Sequence, residues 1–161
     1  MVHSILSRVD YCNSLYICLP AVQTNKLQKL INAATRYIFN ITGKKRFQHI
    51  TPYLKELHFL PCKYRVSYKI CLLVYKCIYY NSPPYLTELI NIRQPNVNRL
   101  LRKDNDKLLL SYMPFERQNY RSRGLSCVAP SLWNGLPLQI RNSKSITEFK
   151  TKLKTYYFNK W

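Results

Sequence analysis

Acidic residues are scarce in this 161-residue chain, where seven Asp and Glu face 26 Lys and Arg for a formal net charge of +19. That imbalance costs self-repulsion in the compact state and points to a polyanionic partner, nucleic acid first and an anionic membrane surface second. The few acids are scattered, with Asp104 and Asp106 as the near pair, flanked by Lys103 and Lys107. Two-metal polymerase or nuclease chemistry needs converging carboxylates, so this pair reads as a solvated loop. Glycine is scarcer still. Gly43, Gly124 and Gly135 cannot build a phosphate-cradling loop or a dinucleotide fingerprint.

Metal-type spacing is also lacking. There is no Cys-x-x-Cys pair, and the nearest approach is His58-x-x-x-Cys62 with Cys71 and Cys77 further on. Structural zinc sites favour tight ligand pairs, so neither a metal nor any other cofactor is expected. A Cys62 nucleophile served by His58 or His49 has no third group to orient the base. Cys12, Cys18, Cys62, Cys71, Cys77 and Cys127 sit in apolar periodic runs, where free cysteine behaves as a small hydrophobe. The opening HSILSRVDY after Met1 has no charged start and apolar stretch of the signal-peptide kind, and a reducing compartment is expected. Long hydrophobic runs are missing too. VSYKICLLVYKCIYY at 66–80 is broken by Lys69 and Lys76 and falls short of the roughly 20 residues a membrane span needs.

What is present suits a folded binding module. The hydrophobic fraction is 47%, normal for a globular chain, and the length fits one domain or two very small ones. Fourteen Tyr, six Phe and two Trp are interleaved with Lys and Arg. Bases stack on aromatic faces while cations track phosphates; the competing reading for any single ring is core. Apolar residues recur at helical spacing over 2–17 and over about 23–39, where Leu27, Leu30, Ile31, Ala34 and Ile38 share a face. Thr51-Pro52 has the form of a helix start, Thr as cap and Pro first inside. The longest helix is expected over about 61–81, carrying Tyr64, Tyr68, Cys71, Leu72, Tyr75 and Ile78 on one side. A short helix follows Pro83-Pro84. Residues 93–123 lose the period and read as a basic loop, with Leu108–Met113 extended and paired to about 123–128. Ser145-Ile146-Thr147-Glu148 matches a capping box for a last helix that turns Ile146, Phe149, Leu153 and Tyr156 inward. The expected fold class is mainly α, with a basic loop and a small β-hairpin near 108–128. Residues 1–91, 92–123 and 124–161 form three segments of different character.

Four blocks carry a resemblance: SRVDYCNSLYICLP at 7–20 with KLQKLINAATRYI at 26–38; HITPYLKELHFLPCKYRVSYKICLLVYKCI at 49–78 with PPYLTELI at 83–90; APSLWNGLPLQIR at 129–141; and SITEFKTKLKTYYF at 145–158. In this order they resemble the C-terminal region of reverse transcriptases from LINE-type, non-LTR retrotransposons, jockey-like and chicken-repeat-like. The segment 93–123 matches least. The resemblance implies a helical thumb that holds the template–primer duplex, followed by a C-terminal extension. It also implies that catalysis belongs to an upstream palm with an aromatic-x-Asp-Asp motif, which this sequence does not contain. No catalytic residue carries over, and the chain is expected to be a truncated element or gene-model fragment beginning at an internal Met. The implied partners are RNA, an RNA–DNA duplex and the palm of a complete reverse transcriptase. The implied location is intracellular, in cytoplasm and nucleus.

On this reading the phosphate contacts are Lys26, Lys29 and Arg36, then Lys44, Lys45 and Arg46, with Lys69, Lys76, Arg117, Arg121 and Arg123 next. A second reading, from another class, is a protein-interaction or self-associating helical fragment exposing an apolar surface around Leu6, Val9 and Leu15; an inert relic of a retroelement is a third. The charge-free stretch LSCVAPSLWNGLP at 125–137 repels the phosphates that accompany bases. It is therefore expected to be structural, with Trp133, Pro130 and Leu136 in a short buried turn or helix against Phe149 and Leu153.

Overall fold

Prolines mark where helices begin in the computed structural model, which describes residues 2–41, 48–93, 108–112 and 124–161. Pro20, Pro83 and Pro137 stand at the N-caps of α2 (Ala21–Ile38), α5 (Pro84–Thr87) and α7 (Leu138–Arg141). Pro52 lies in the first turn of α3 (Thr51–Glu56), and Pro61 precedes α4 (Cys62–Tyr80). A fixed φ and a missing N–H cost nothing at these positions. The remaining helices are α1 (Val2–Asp10), α6 (Leu125–Asn134) and α8 (Ile146–Lys160), with a 3-10 helix at Asn13–Cys18. The fold is mainly α. An isolated antiparallel bridge joins Ile92 and Leu110.

With so little glycine, left-handed backbone positions fall to other residues. Asn40, His58, Asn81 and Cys12 all have positive φ. Asn40 and His58 close α2 and α3: Ile41 N–H donates to the Arg36 carbonyl at 2.9 Å and Phe59 N–H to the Leu54 carbonyl at 2.8 Å. These are the bonds of a Schellman ending, and Asn and His are among the side chains that tolerate this region best.

By contacts the chain forms two units, Met1–Ser67 with Tyr157–Trp161, and Tyr68–Tyr156. The three segments read from the sequence differ in composition; the units divide by packing, and their boundaries fall inside α4 and α8. In the first unit Val9, Ile31, Leu54 and Cys62 form the buried cluster, joined by Leu6, Leu27, Ile50, Phe59 and Trp161. Gln28 caps α4 from a distance, its Oε1 accepting the Cys62 N–H at 2.7 Å. Arg65 pairs with Asp10, donates through Nε to the Leu60 carbonyl at 3.0 Å and lies over the Phe59 ring.

Two expectations are corrected in this unit. The helix expected over 2–17 breaks after Asp10, where Cys12 turns left-handed at φ 48. Asp10 is held by Arg65 and accepts a hydrogen bond from the Asn13 amide, which favours a new turn over a continued helix. The cap of α3 is Ile50, with Thr51 already inside and no side-chain cap bond.

The second unit is built on aromatic rings. Tyr75 stacks on Phe149 with centroids 4.2 Å apart, and Trp133 packs on Phe149 at 5.9 Å. The hydroxyls of Tyr75 and Tyr79 donate to the Ser143 and Arg141 carbonyls, each at 2.8 Å. The expected pairing does not form among the described residues 108–112 and 124–128, because residues 125–128 are the first turn of α6. Leu110 instead pairs with Ile92 and with a side chain: Asn134 Nδ2 donates to the Leu110 carbonyl, and Leu110 N–H donates to Asn134 Oδ1, both at 2.9 Å. A side-chain amide thus fills the place of the expected second strand. In α8 the Ser145 cap forms, with Glu148 N–H donating to Ser145 Oγ at 3.2 Å, while the Glu148 carboxylate reaches back one residue further than a capping box and accepts the Lys144 N–H at 3.0 Å. Its buried positions are Phe149, Leu153 and Tyr157, with Tyr156 only half-buried.

Candidate nucleic-acid interface

Helix α2 places Lys26 and Lys29 in solvent and leaves Arg36 half-buried. At 1.5 Å per residue, Lys29 and Arg36 lie about 10.5 Å apart along the axis on one side, with Lys26 one turn before Lys29. Helix α4 repeats the arrangement in the second unit. Lys69 is exposed and Lys76 half-buried, again about 10.5 Å apart, which is about three nucleotide steps along one strand. One turn beyond Lys76 on the same side stands Tyr80, 55% exposed. Cations in line with an exposed ring are the parts a single strand or a duplex end needs, charge for phosphates and a face for a base.

Electrostatics favour these cations as free contacts. Among the described residues, Asp10 pairs with Arg65 and Glu148 with Lys152, the latter at 2.6 Å. Lys26, Lys29, Arg36, Lys69 and Lys76 have no carboxylate partner among the described residues. Lys44, Lys45, Arg46, Arg117, Arg121 and Arg123 lie outside the described residues.

The tryptophan stretch lies elsewhere in chemistry. Trp133 is 0% exposed, and its indole N–H donates to the Leu108 carbonyl at 2.7 Å. Pro130, Leu136, Phe149 and Leu153 are buried as well. Both faces of this indole serve packing, and none is open to a base. Sequence reasoning singled out Trp133 and overlooked its neighbour Asn134, which positions Leu110. An Asn directly after a buried Trp, beside a Gly, was the available signal.

The surroundings of the Cys62 and Cys77 thiols favour the protonated form. Burial raises the Cys62 thiol above its ordinary range, opposed by Arg65 and assisted by Asp10, and burial raises Cys77 as well. A nucleophilic thiol needs the opposite shift. His58 is exposed and packs edge-on to Phe158, while Cys62 is buried. Among the described residues no three His, Cys, Asp or Glu side chains gather as metal ligands, and no helix is long and apolar enough to cross a membrane. In comparison with known proteins, the chain matches no protein-family model, no curated protein and no solved structure.

Proposed function

We propose that this chain binds RNA or an RNA–DNA template–primer duplex without sequence preference, as a thumb-like C-terminal part of a retrotransposon RNA-directed DNA polymerase. The observation that carries the binding reading is the pair of cation stripes, Lys26 and Lys29 exposed with Arg36 half-buried on α2, and Lys69 exposed with Lys76 half-buried on α4, paired with no carboxylate among the described residues and accompanied by Tyr80. The polymerase origin rests on the ordered sequence blocks alone. The cations act by charge and by release of counterions; they position a backbone and read no bases. The sequence holds no aromatic-x-Asp-Asp motif, so on this reading nucleotide transfer belongs to a palm that would have to be supplied separately.

Fluorescence anisotropy with a labelled RNA–DNA primer–template, over about 50 to 200 mM salt, tests this. If five cations each neutralise a phosphate, the log–log slope is about −4 to −5, and affinity falls roughly 10²- to 10³-fold over that range. Undetectable binding at the lowest salt, by a chain shown to be folded, contradicts the proposal.

A further inference from the structure

We propose that the groove between α1 and α2 docks an acidic amphipathic helix of a partner polypeptide. The groove has a volume of about 530 Å³. Its apolar lining includes Ile5, Tyr16, Leu27, Leu30, Ala33 and Tyr37, and Arg8 is the charged member. Leu30 is 53% exposed and Tyr37 65%, so apolar surface already organised by the fold stands uncovered. Such a patch marks an interaction site more often than it marks ordinary surface.

The shape fits a helix. Leu27 to Tyr37 spans about 15 Å of α2, close to three helical turns. That length accepts a partner's anchors at i, i+3 or i+4, and i+7. Ala33, exposed between Leu30 and Tyr37, keeps the groove wall low and lets a second backbone approach.

Charge selects the occupant. Lys26 lies one turn before Leu30 and Lys29 one turn before Ala33, both exposed, and Arg8 stands in the groove itself. A second copy of this chain would set these cations against their own equivalents across a two-fold interface, in a protein already at +19. A nucleic acid held by Lys26 and Lys29 would leave the apolar floor of the groove unfilled. Glu or Asp beside apolar anchors neutralises Arg8, Lys26 and Lys29 while the anchors fill the groove, which is the complementarity a specific interface uses. The inference shares Lys26 and Lys29 with the nucleic-acid reading and is separated from it by its apolar anchors, Leu30 and Ala33, which take no part in that reading.

The test uses the full chain and a fluorescein-labelled helical peptide of about five turns, with leucines at i, i+3 or i+4, and i+7 and glutamates elsewhere. A scrambled peptide of the same composition keeps the charge and loses the apolar face. Saturable binding is expected, weakened about tenfold or more by scrambling and by either Leu30→Gln or Ala33→Trp, since one lost anchor is worth of order one factor of ten. Both sites are exposed, so thermal melts should stay near the parent's, and RNA–DNA affinity should hold within about twofold if its contacts are independent. Equal binding of the scrambled peptide, or unchanged binding in both groove variants, overturns the proposal. Dimerisation of the free chain that Leu30→Gln abolishes overturns it in favour of a second copy. Loss of RNA–DNA binding in Leu30→Gln, with peptide binding intact, overturns it in favour of nucleic acid.

Discussion

Helix α2 runs 18 residues and α4 runs 19, and both repeat apolar side chains at helical spacing. In α4, Val66, Ile70, Cys71, Val74, Tyr75 and Cys77 are all buried, and the helix is closed around most of its circumference. In α2 the buried set is Ile31, Ala34 and Thr35, while Val22, Leu30, Tyr37 and Ile38 remain exposed. Periodicity reports that a helix has an apolar side; it does not report how much of that side the same chain covers. Helix α1 ends at Asp10 and covers only part of the α2 face. Helix α4 meets rings of α8, including the Tyr75–Phe149 stack that Trp133 of α6 backs, and closes.

The sharpest way to break this comparison is one substitution made in each helix. Ile70→Gln sets an unpaired amide in the closed core and should cost about 4 kcal/mol or more. Leu30→Gln on the open face should stay within about 0.5 kcal/mol. Urea unfolding of the two variants checks this, and equal losses would mean that α2 is as closed as α4. Trp133→Ala should cost about 3–5 kcal/mol, because it empties the space against Phe149 and leaves the Leu108 carbonyl without its indole donor. A loss under about 1 kcal/mol would remove Trp133 as the centre of the closed unit. Asn134→Ala should cost about 2 kcal/mol, since both backbone groups of Leu110 lose their amide partner. Amide hydrogen exchange at Leu110 should quicken in the same variant; unchanged protection would show that the bridge to Ile92 suffices.

The smallest expected effect is electrostatic. Lys152 and the Lys144 backbone N–H hold the Glu148 carboxyl below the usual carboxylate range. The ionised form therefore adds stability above that range, and the contribution fades as pH falls through the ordinary carboxylate value near 4 and below it. Thermal melts between about pH 7 and pH 3 should show the parent losing slightly more stability than Glu148→Gln. Parallel curves would show that the start of α8 does not depend on the carboxylate charge.

Much of the fold was legible because it is local. The prolines, the Ser145 cap and the α4 period act within a few residues of themselves, and mainly-α character followed from them. What was not legible depends on partners far away in the chain. The break at Cys12 goes with Asp10, whose partner Arg65 is 55 residues distant. The fate of 108–112 depends on Asn134, a side chain standing where a strand was expected. The cation stripes on α2 and α4 were readable from spacing. The uncovered groove beside the first stripe was not, because whether Leu30 and Tyr37 are covered depends on where α1 ends.

The most direct measurement compares salt slopes for RNA–DNA binding in the parent, in Lys26→Gln/Lys29→Gln and in Lys69→Gln/Lys76→Gln. Each lysine that contacts a phosphate carries about one unit of slope, so each double variant should be shallower by about two. Slopes identical to the parent's in both variants would contradict the account, because the charge that binds nucleic acid would then lie on neither helix.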